Sequence, residues 1–299
     1  MYKRQVLVLL QLEKMAQARM RFSSLRSNAP SSDAQPTSLT GLSAIGMSTW
    51  CALPLFFGFL LPVLLMLRPL MGSDLDVPWA RFIDWALNSL RLGLMTALLA
   101  VALALVLSYS LRTKKDLATR MATGLIGLGY AVPGAVVVVG LLLPVTWQQQ
   151  RWPDSQIGFW LTATVLGLIW AYLIRFCAVA LQTVQSGYTR IPKSLDDSSR
   201  MLGISGVKLL TLVHVPLLKR SIFAATLLVF VDVMKELPAT LVLRPFNTDT
   251  LAVMAYQLAR DERLGEAALP SLALVLVGLL PVIYLSRAMK KSSTVSSIC

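Results

Sequence analysis

Six stretches of this chain are each long and apolar enough to cross a membrane, at roughly 49–67, 89–111, 121–143, 159–181, 221–243 and 267–286. A hydrocarbon core of about 30 Å and a helical rise of about 1.5 Å per residue set the requirement at about 20 apolar residues. In lipid the backbone must satisfy its own hydrogen bonds, so stretches of this length span as helices. The expected fold class is therefore all-α, a polytopic membrane helix bundle with six transmembrane helices. The fifth stretch is the weakest, because Asp232, Lys235 and Glu236 interrupt it. The third carries Pro133-Gly134 and the sixth carries Pro270 and Pro281, which spanning helices tolerate when neighbours re-satisfy the freed backbone groups.

Composition supports this reading. Hydrophobic residues make up 56% of the 299 and charged residues 14%. That balance excludes a disordered chain and argues against a water-soluble domain. Cys51, Cys177 and Cys299 give neither a disulfide framework nor zinc-ligand spacing. His214 is the one histidine, too little for a His-based metal site or a serine-type triad.

The net charge of +13 would suggest nucleic acid in a soluble protein. Its distribution points elsewhere. With the N-terminus inside, 19 of the 28 Lys and Arg residues fall in inside segments, 6 in outside loops and 3 within the spans. This follows the positive-inside rule, places both termini in the cytoplasm and needs no nucleic acid to explain it. Trp147, Trp152 and Trp160 bracket the second outside loop as interfacial aromatics do.

The first 47 residues read as a tail or linker. Val6 to Leu10 is too short to span, no small-residue cleavage site follows it, and Phe22 to Gly46 is rich in Ser, Pro, Ala and Gln. The longest inside loop, 182–220, is long enough to carry its own structure. Pro192 stands where a helix can start, Leu195, Ser199 and Leu202 recur at helical spacing, and Gly203 can close that helix in a left-handed conformation. A second apolar helix from Val207 to about Val213 then leads to Pro216. The expectation is a knob of two short helices around a glycine. It reads either as a solvated basic loop or as a docking element for a cytoplasmic partner.

Asp197-Ser198-Ser199, three residues, Gly203, nine residues and Val213-His214-Val215-Pro216 together resemble the EAA loop of importer-type ATP-binding-cassette permeases. The family pattern is Glu-Ala-Ala, three residues, Gly, nine residues, Ile-x-Leu-Pro. The spacing matches in full, while Asp replaces Glu, Ser replaces both Ala, and Val replaces Ile and Leu. The run from Lys235 to Pro245, with Thr250-Leu251-Ala252, Asn88 to Arg91, Tyr130 to Gly134 and Arg175-Phe176, is similar to permeases of ferric-iron importers.

This resemblance implies a type I importer permease core in a bacterial inner membrane. It implies as partners an ATP-binding subunit dimer, a periplasmic solute-binding protein and a second permease half, which is another copy or another chain. It assigns Asp197, Ser198, Ser199, Gly203, Val213 and Pro216 to the ATPase-coupling loop. The implied division is a cytoplasmic tail or inter-half linker at 1–47, a peripheral first span and outside loop at 48–85, a transport core at 86–287 and a cytoplasmic tail at 288–299. Iron permeases of this kind usually carry two homologous halves and about twelve spans, so six spans resemble a C-terminal half.

The charges of the fifth stretch can be read without the family. On a continuous helix, Asp232, Lys235 and Glu236 fall within an arc of about 100°, opposite Val233, Met234 and Leu237. Charges at that depth normally face a bundle interior or a water-filled cavity. Asp232 and Lys235, three apart, can neutralise each other, and Pro238 favours a local break. Two readings stay open. One is an internal ion pair joining helices; the other is a translocation path lined by Asp232, Lys235, Glu236 and Pro238. The carboxylates are not read as metal ligands, because a transporter needs transient contact with its cargo. Arg175 reads as an interface anchor with a snorkelling stem, and His214 as a neutral packed side chain in the loop.

No Gly-x-x-x-x-Gly-Lys-Ser/Thr phosphate loop is present, so ATP would be hydrolysed by a partner and this chain is expected to be neither an enzyme nor cofactor-bearing. The function expected is a permease for ferric iron, with thiamine, polyamine or phosphonate as alternative cargo. The competing classes are a gradient-driven secondary transporter using the charge cluster as a relay, and an inactive half of a two-half permease.

Overall fold

The computed structural model describes residues 40–71, 79–113 and 116–295. The expected tail at 1–47 lies outside this range up to residue 39, and the expected C-terminal tail lies outside it from 296. Every regular element among the described residues is helical. Chain contacts define two units divided after Gly58.

The described part of the first unit is α1, Leu42–Leu55, with Pro54 inside it and no buried residue. A π-helical turn, Phe56–Leu60, crosses the division between the units. The second unit begins at Phe59 and contains α2, Leu61–Leu70, and α3, Trp79–Thr113. It continues with α4, Leu117–Leu128, α5, Gly134–Arg151, α6, Ile157–Thr162, and α7, Val165–Tyr188. Then come α8, Lys193–Met201, α9, Gly206–Leu209, α10, Val215–Met234, and α11, Pro238–Leu243. Helices α12, Leu251–Arg260, and α13, Leu264–Val295, complete it.

Among the described residues, four helical runs are long and apolar enough to cross a membrane: Leu42–Leu70, Trp79–Thr113, Val165–Tyr188 and Leu264–Ile283. They correspond to the first, second, fourth and sixth expected stretches. The third and fifth are not single helices, so the six expected stretches correspond to four unbroken runs and two interrupted segments. Proline explains both breaks. Pro133 pushes Val132 into extended backbone (φ −84°, ψ 124°), so the helix ends in a 3₁₀ turn at Gly129–Ala131 and restarts at Gly134. In the fifth stretch α10 stops at Met234, and Pro238 opens α11 at a position where its missing N–H costs nothing. The fourth span also starts later than expected, because Thr164 caps α7 by accepting the Leu166 N–H at 3.2 Å.

Helices α3, α7 and α10 pack against one another and form the centre of the second unit. The buried face of α3 runs through Ser89, Gly93, Ala97, Ala100, Ala104 and Ser108, three or four residues apart. Small side chains at this spacing let helix backbones approach closely, which is how helices associate where lipid is as apolar as leucine. Helix α7 is buried over most of its length, with Leu168, Tyr172, Phe176, Leu181 and Val184 in the core. The opposite face of α3 exposes Met95, Leu98, Leu99 and Val106, as a lipid-facing surface does.

The contact of Gly129 with α7 requires glycine. A Cβ on Gly129 would sit 1.9 Å from the carbonyl oxygen of Ile174 on α7, whereas a Cβ on Gly140 of α5 would meet nothing within 4 Å. Gly129→Ala is expected to lower the thermal midpoint of the detergent-solubilised protein, with an overpacking cost of about 1–3 kcal/mol. Gly140→Ala is expected to leave the midpoint unchanged or raise it, by up to about 1 kcal/mol.

Candidate functional site

Two polar clusters stand out in this apolar chain. The first lies at the base of the loop between α7 and α10. Pro192 precedes α8 as its N-cap, and Gly203 (φ +79°) ends it. The Gly203 N–H donates to Arg200 O and the Ile204 N–H to Ser199 O, both at 2.9 Å, the paired bonds of a left-handed C-terminal cap. The expected closure at Gly203 is thus present. The second expected loop helix is not separate. Helix α9 passes through a π-helical segment, Leu210–His214, directly into α10. Pro216 cannot donate to the helix ladder, and the wider turn before it absorbs the mismatch.

The tip of this knob is apolar and open: Met201 is 89% exposed, Leu202 79% and Val207 74%. Leu202, expected on the packed face of α8, is at the tip; Leu195, Asp196 and Ser199 face inward instead. Asp197 is exposed with Arg200 3.8 Å away, Ser198 is exposed, and Ser199 is buried with its hydroxyl donating to Leu195 O at 2.8 Å. Val213 is half-buried and Pro216 exposed.

The base is held by residues that sequence reasoning missed. Asp196 is buried and accepts Arg112 Nε at 2.6 Å and Nη2 at 3.0 Å, a bidentate pair between α8 and the last turn of α3. The same guanidinium donates to Ile191 O at 3.0 Å and Pro192 O at 2.9 Å. His214, fully buried, lies 3.1 Å from Asp196 Oδ1 through Nε2 and 3.1 Å from the Tyr188 hydroxyl through Nδ1. A neutral ring closes this chain by donating from Nε2 to Asp196 and accepting at Nδ1 from Tyr188. His214 does pack within the loop as expected, but as the centre of a network. Burial pushes the Asp196 carboxyl up, and hydrogen bonds from Arg112 and His214 outweigh it and hold the group below its ordinary value of 3.8.

The second cluster lies at the helix breaks. Glu236 is outside the helix, beyond the Lys235 C-cap, so the expected shared face with Asp232 and Lys235 does not extend to it. It is buried and paired with Arg175 of α7. Arg175 is therefore an internal partner, correcting its expected role as an interface anchor. Glu236 Oε1 also accepts the Ala239 N–H at 3.3 Å, and its carbonyl accepts the Thr240 hydroxyl at 2.6 Å. Tyr172 lies 2.6 Å from that hydroxyl. A Cβ on Gly134 would fall 2.5 Å from Glu236 Oε1 and 2.9 Å from Arg175 Nη1, so the start of α5 meets the same pair. Lys235 binds Asp232 at 2.8 Å, as their spacing suggests. Lys235 is exposed, Asp232 half-buried and Pro238 exposed, while Val233 and Met234 pack inward.

No group of three or more His, Cys, Asp or Glu placed to hold a metal is found among the described residues. At the other end of α11, Arg244 pairs with Asp249, and Asn88 donates to Asp249 O at 3.2 Å. Ser89 accepts the Leu251 N–H at 2.8 Å, tying the 244–251 loop to α3.

Residues 100–292 match the family described as binding-protein-dependent transport system inner membrane component, and the chain belongs to that family. It is 30% identical over 158 residues to a Streptomyces antibioticus protein named as an ABC transporter permease, covering 53% of this chain and 64% of the other. An Fe(3+)-transport system permease protein of Haemophilus influenzae is 25% identical over 229 residues, 76% of this chain and 44% of its own length. A Salmonella typhimurium protein named as a 2-aminoethylphosphonate transport system permease is 25% identical over 208 residues, 70% of this chain and 75% of its own. This chain thus spans less than two thirds of the first two relatives. Among solved structures, the crystal structure of a bacterial alginate ABC transporter, bound to a periplasmic protein carrying alginate pentasaccharide, aligns with a TM-score of 0.60 at 14% identity. That alignment covers 81% of this chain and 91% of the other, and it shows a shared permease fold.

Two predictions follow from the geometry. Asp196 has a folded-state pKa below its unfolded one, so its contribution to stability is complete above about pH 4 and is lost as pH falls through the folded value. Thermal scans between about pH 6 and pH 3 are expected to show the wild type losing its advantage over Asp196→Asn as pH drops. At the second cluster, Arg175→Met strands a buried carboxylate and is expected to cost about 3–5 kcal/mol. Arg175→Met with Glu236→Gln is expected to recover most of that loss in the thermal midpoint.

Proposed function

We propose that this chain is the permease subunit of an ATP-driven importer. A solute arrives on a periplasmic solute-binding protein, and ATP is hydrolysed by a separate ATP-binding subunit dimer. The observation that carries this reading is the knob at the base of α10, an exposed apolar tip on a polar, tightly bonded foundation, in a chain of the binding-protein-dependent family. Met201, Leu202 and Val207 around Gly203 form a surface suited to a cleft in the ATPase, with Asp197, Ser198 and Pro216 exposed nearby and Ser199 and Val213 packing beneath. On this reading the knob is cytoplasmic, as are both termini, consistent with the basic charge of the same loops.

The Asp232–Lys235 pair supports a second element of the proposal. A charged pair on the outer surface of an apolar bundle is expensive against lipid. It is accommodated if that surface faces a water-lined path shared with a second permease half. Residues 86–287 form the transport core on this view, with 48–85 peripheral. Ferric iron is the cargo we favour, because the run from Lys235 to Pro245 resembles iron permeases and a Haemophilus influenzae relative is named for Fe(3+) transport. The Salmonella relative named for 2-aminoethylphosphonate makes phosphonate the second candidate.

Native mass spectrometry of the tagged chain, extracted gently from its own membrane, tests the proposal. An ATP-binding subunit pair with two permease copies, or with one copy and a different permease, is expected. Absence of any ATP-binding subunit would overturn it. Gly203→Asp strains a left-handed position and puts a carboxylate on the tip. It is expected to reduce co-purification of the ATP-binding subunit by about tenfold, the equivalent of about 1.4 kcal/mol of binding.

A further inference from the structure

A knob can deliver displacement to the membrane helices only if its foundation does not yield. The foundation here gathers four side chains from four segments. Arg112 ends α3, Tyr188 ends α7, Asp196 is on α8 and His214 closes the π-helical segment before α10. Arg112 grips Asp196 through two nitrogens and reaches the carbonyls of Ile191 and Pro192, where the chain enters the knob. The Tyr109 hydroxyl, one turn earlier on α3, donates to Gly206 O at 2.8 Å, where the chain leaves it. Both arms of the knob are thereby fixed to one helix. His214 joins Asp196 to Tyr188, and the rings of Tyr109 and Tyr188 stand edge-on to it at 5.4 and 5.3 Å.

We infer that Asp196, Arg112, His214 and Tyr188 are positioning residues, a clamp that makes the knob a rigid extension of α3, α7 and α10. This rests on the coupling role proposed above and adds a division of labour between neighbours. Asp197 and the apolar tip meet the partner, while Asp196 turns inward and holds the tip in place. The apolar core of α3, α7 and α10 reaches this end through Tyr188 and Ile191, and the polar contacts of Arg112, Asp196 and His214 extend it to the knob's own backbone.

The test separates the clamp from the coupling role. The full chain, with Cys51, Cys177 and Cys299 replaced, is spin-labelled at Leu202→Cys on the knob and Leu98→Cys on α3. It is placed in lipid nanodiscs for pulsed electron-electron distance measurement. A narrow distribution is expected for the parent, and one about twofold broader for Asp196→Asn and His214→Leu, as the knob gains local opening. His214→Gln can offer an N–H to Asp196 and a carbonyl to Tyr188, and is expected to restore the narrow distribution. If Asp196→Asn does not fold, the His214 pair decides. Unchanged width in His214→Leu overturns the clamp.

In the reconstituted transporter, uptake per ATP hydrolysed is expected to fall by about fivefold or more in His214→Leu while the ATP-binding subunit still co-purifies. A parallel fall in uptake and hydrolysis, with the ratio intact, marks a purely structural role and overturns the inference. Absence of an ATP-binding subunit from the parent preparation strikes the permease reading, and the distance distributions then decide the clamp alone.

Discussion

A helix that breaks inside an apolar bundle leaves backbone groups and charges that water cannot reach. The pairing of Arg175 with Glu236 is the solution on which the rest of this arrangement depends. Glu236 stands in the gap between α10 and α11 and serves both sides of it. Its carboxylate accepts a backbone N–H of α11, and its carbonyl accepts the Thr240 hydroxyl, which Tyr172 contacts from α7. The other broken segment restarts at Gly134 against the same two side chains. Two interruptions, each unfavourable alone, are thus stabilised by one ion pair. Removing Arg175 leaves a buried carboxylate without its partner, and removing Glu236 leaves a buried guanidinium and also takes the acceptor from the Ala239 N–H at the start of α11.

The polar cluster at the base of the knob follows the same logic at the C-terminal end of α7. Arg112 satisfies two chain carbonyls and a carboxylate at once, so the entry to the knob carries no orphaned acceptor at that point. Helix α7 connects the two clusters, with Arg175 and Tyr172 in its middle and Tyr188 at its end. It is also the helix most completely enclosed by its neighbours.

Much of this was legible in the sequence because it depends on length and local chemistry. Apolar run length identified the long helices. Gly203 declared a left-handed cap, Pro238 a local break, and Asp232 with Lys235 an i,i+3 pair. The misses are pairings without a sequence rule. Arg112 and Asp196 are 84 residues apart and Arg175 and Glu236 are 61 apart, so no spacing signals either. Asp196 and Asp197 are adjacent acids whose directions differ by about 100°, and the inward one is the one that meets Arg112 and His214, both distant in sequence. Proline in the third stretch looked tolerable because an apolar span often contains one. The extended backbone it imposes on Val132 shows why the helix gave way here.

The π-helical segment before α10 sets how the membrane helix is aimed. Its wider turn takes up one extra residue relative to regular α-helix, and each residue corresponds to about 100° of rotation. His214 thereby points into the clamp while Leu218, Ala225, Val229 and Val233 keep one line toward the core. Chain length between Gly206 and Pro216 is therefore read out as an angle and not as slack. One residue more or fewer there would put His214's contacts with Asp196 and Tyr188 and the buried line of α10 about 100° out of register, so the two could not both be kept.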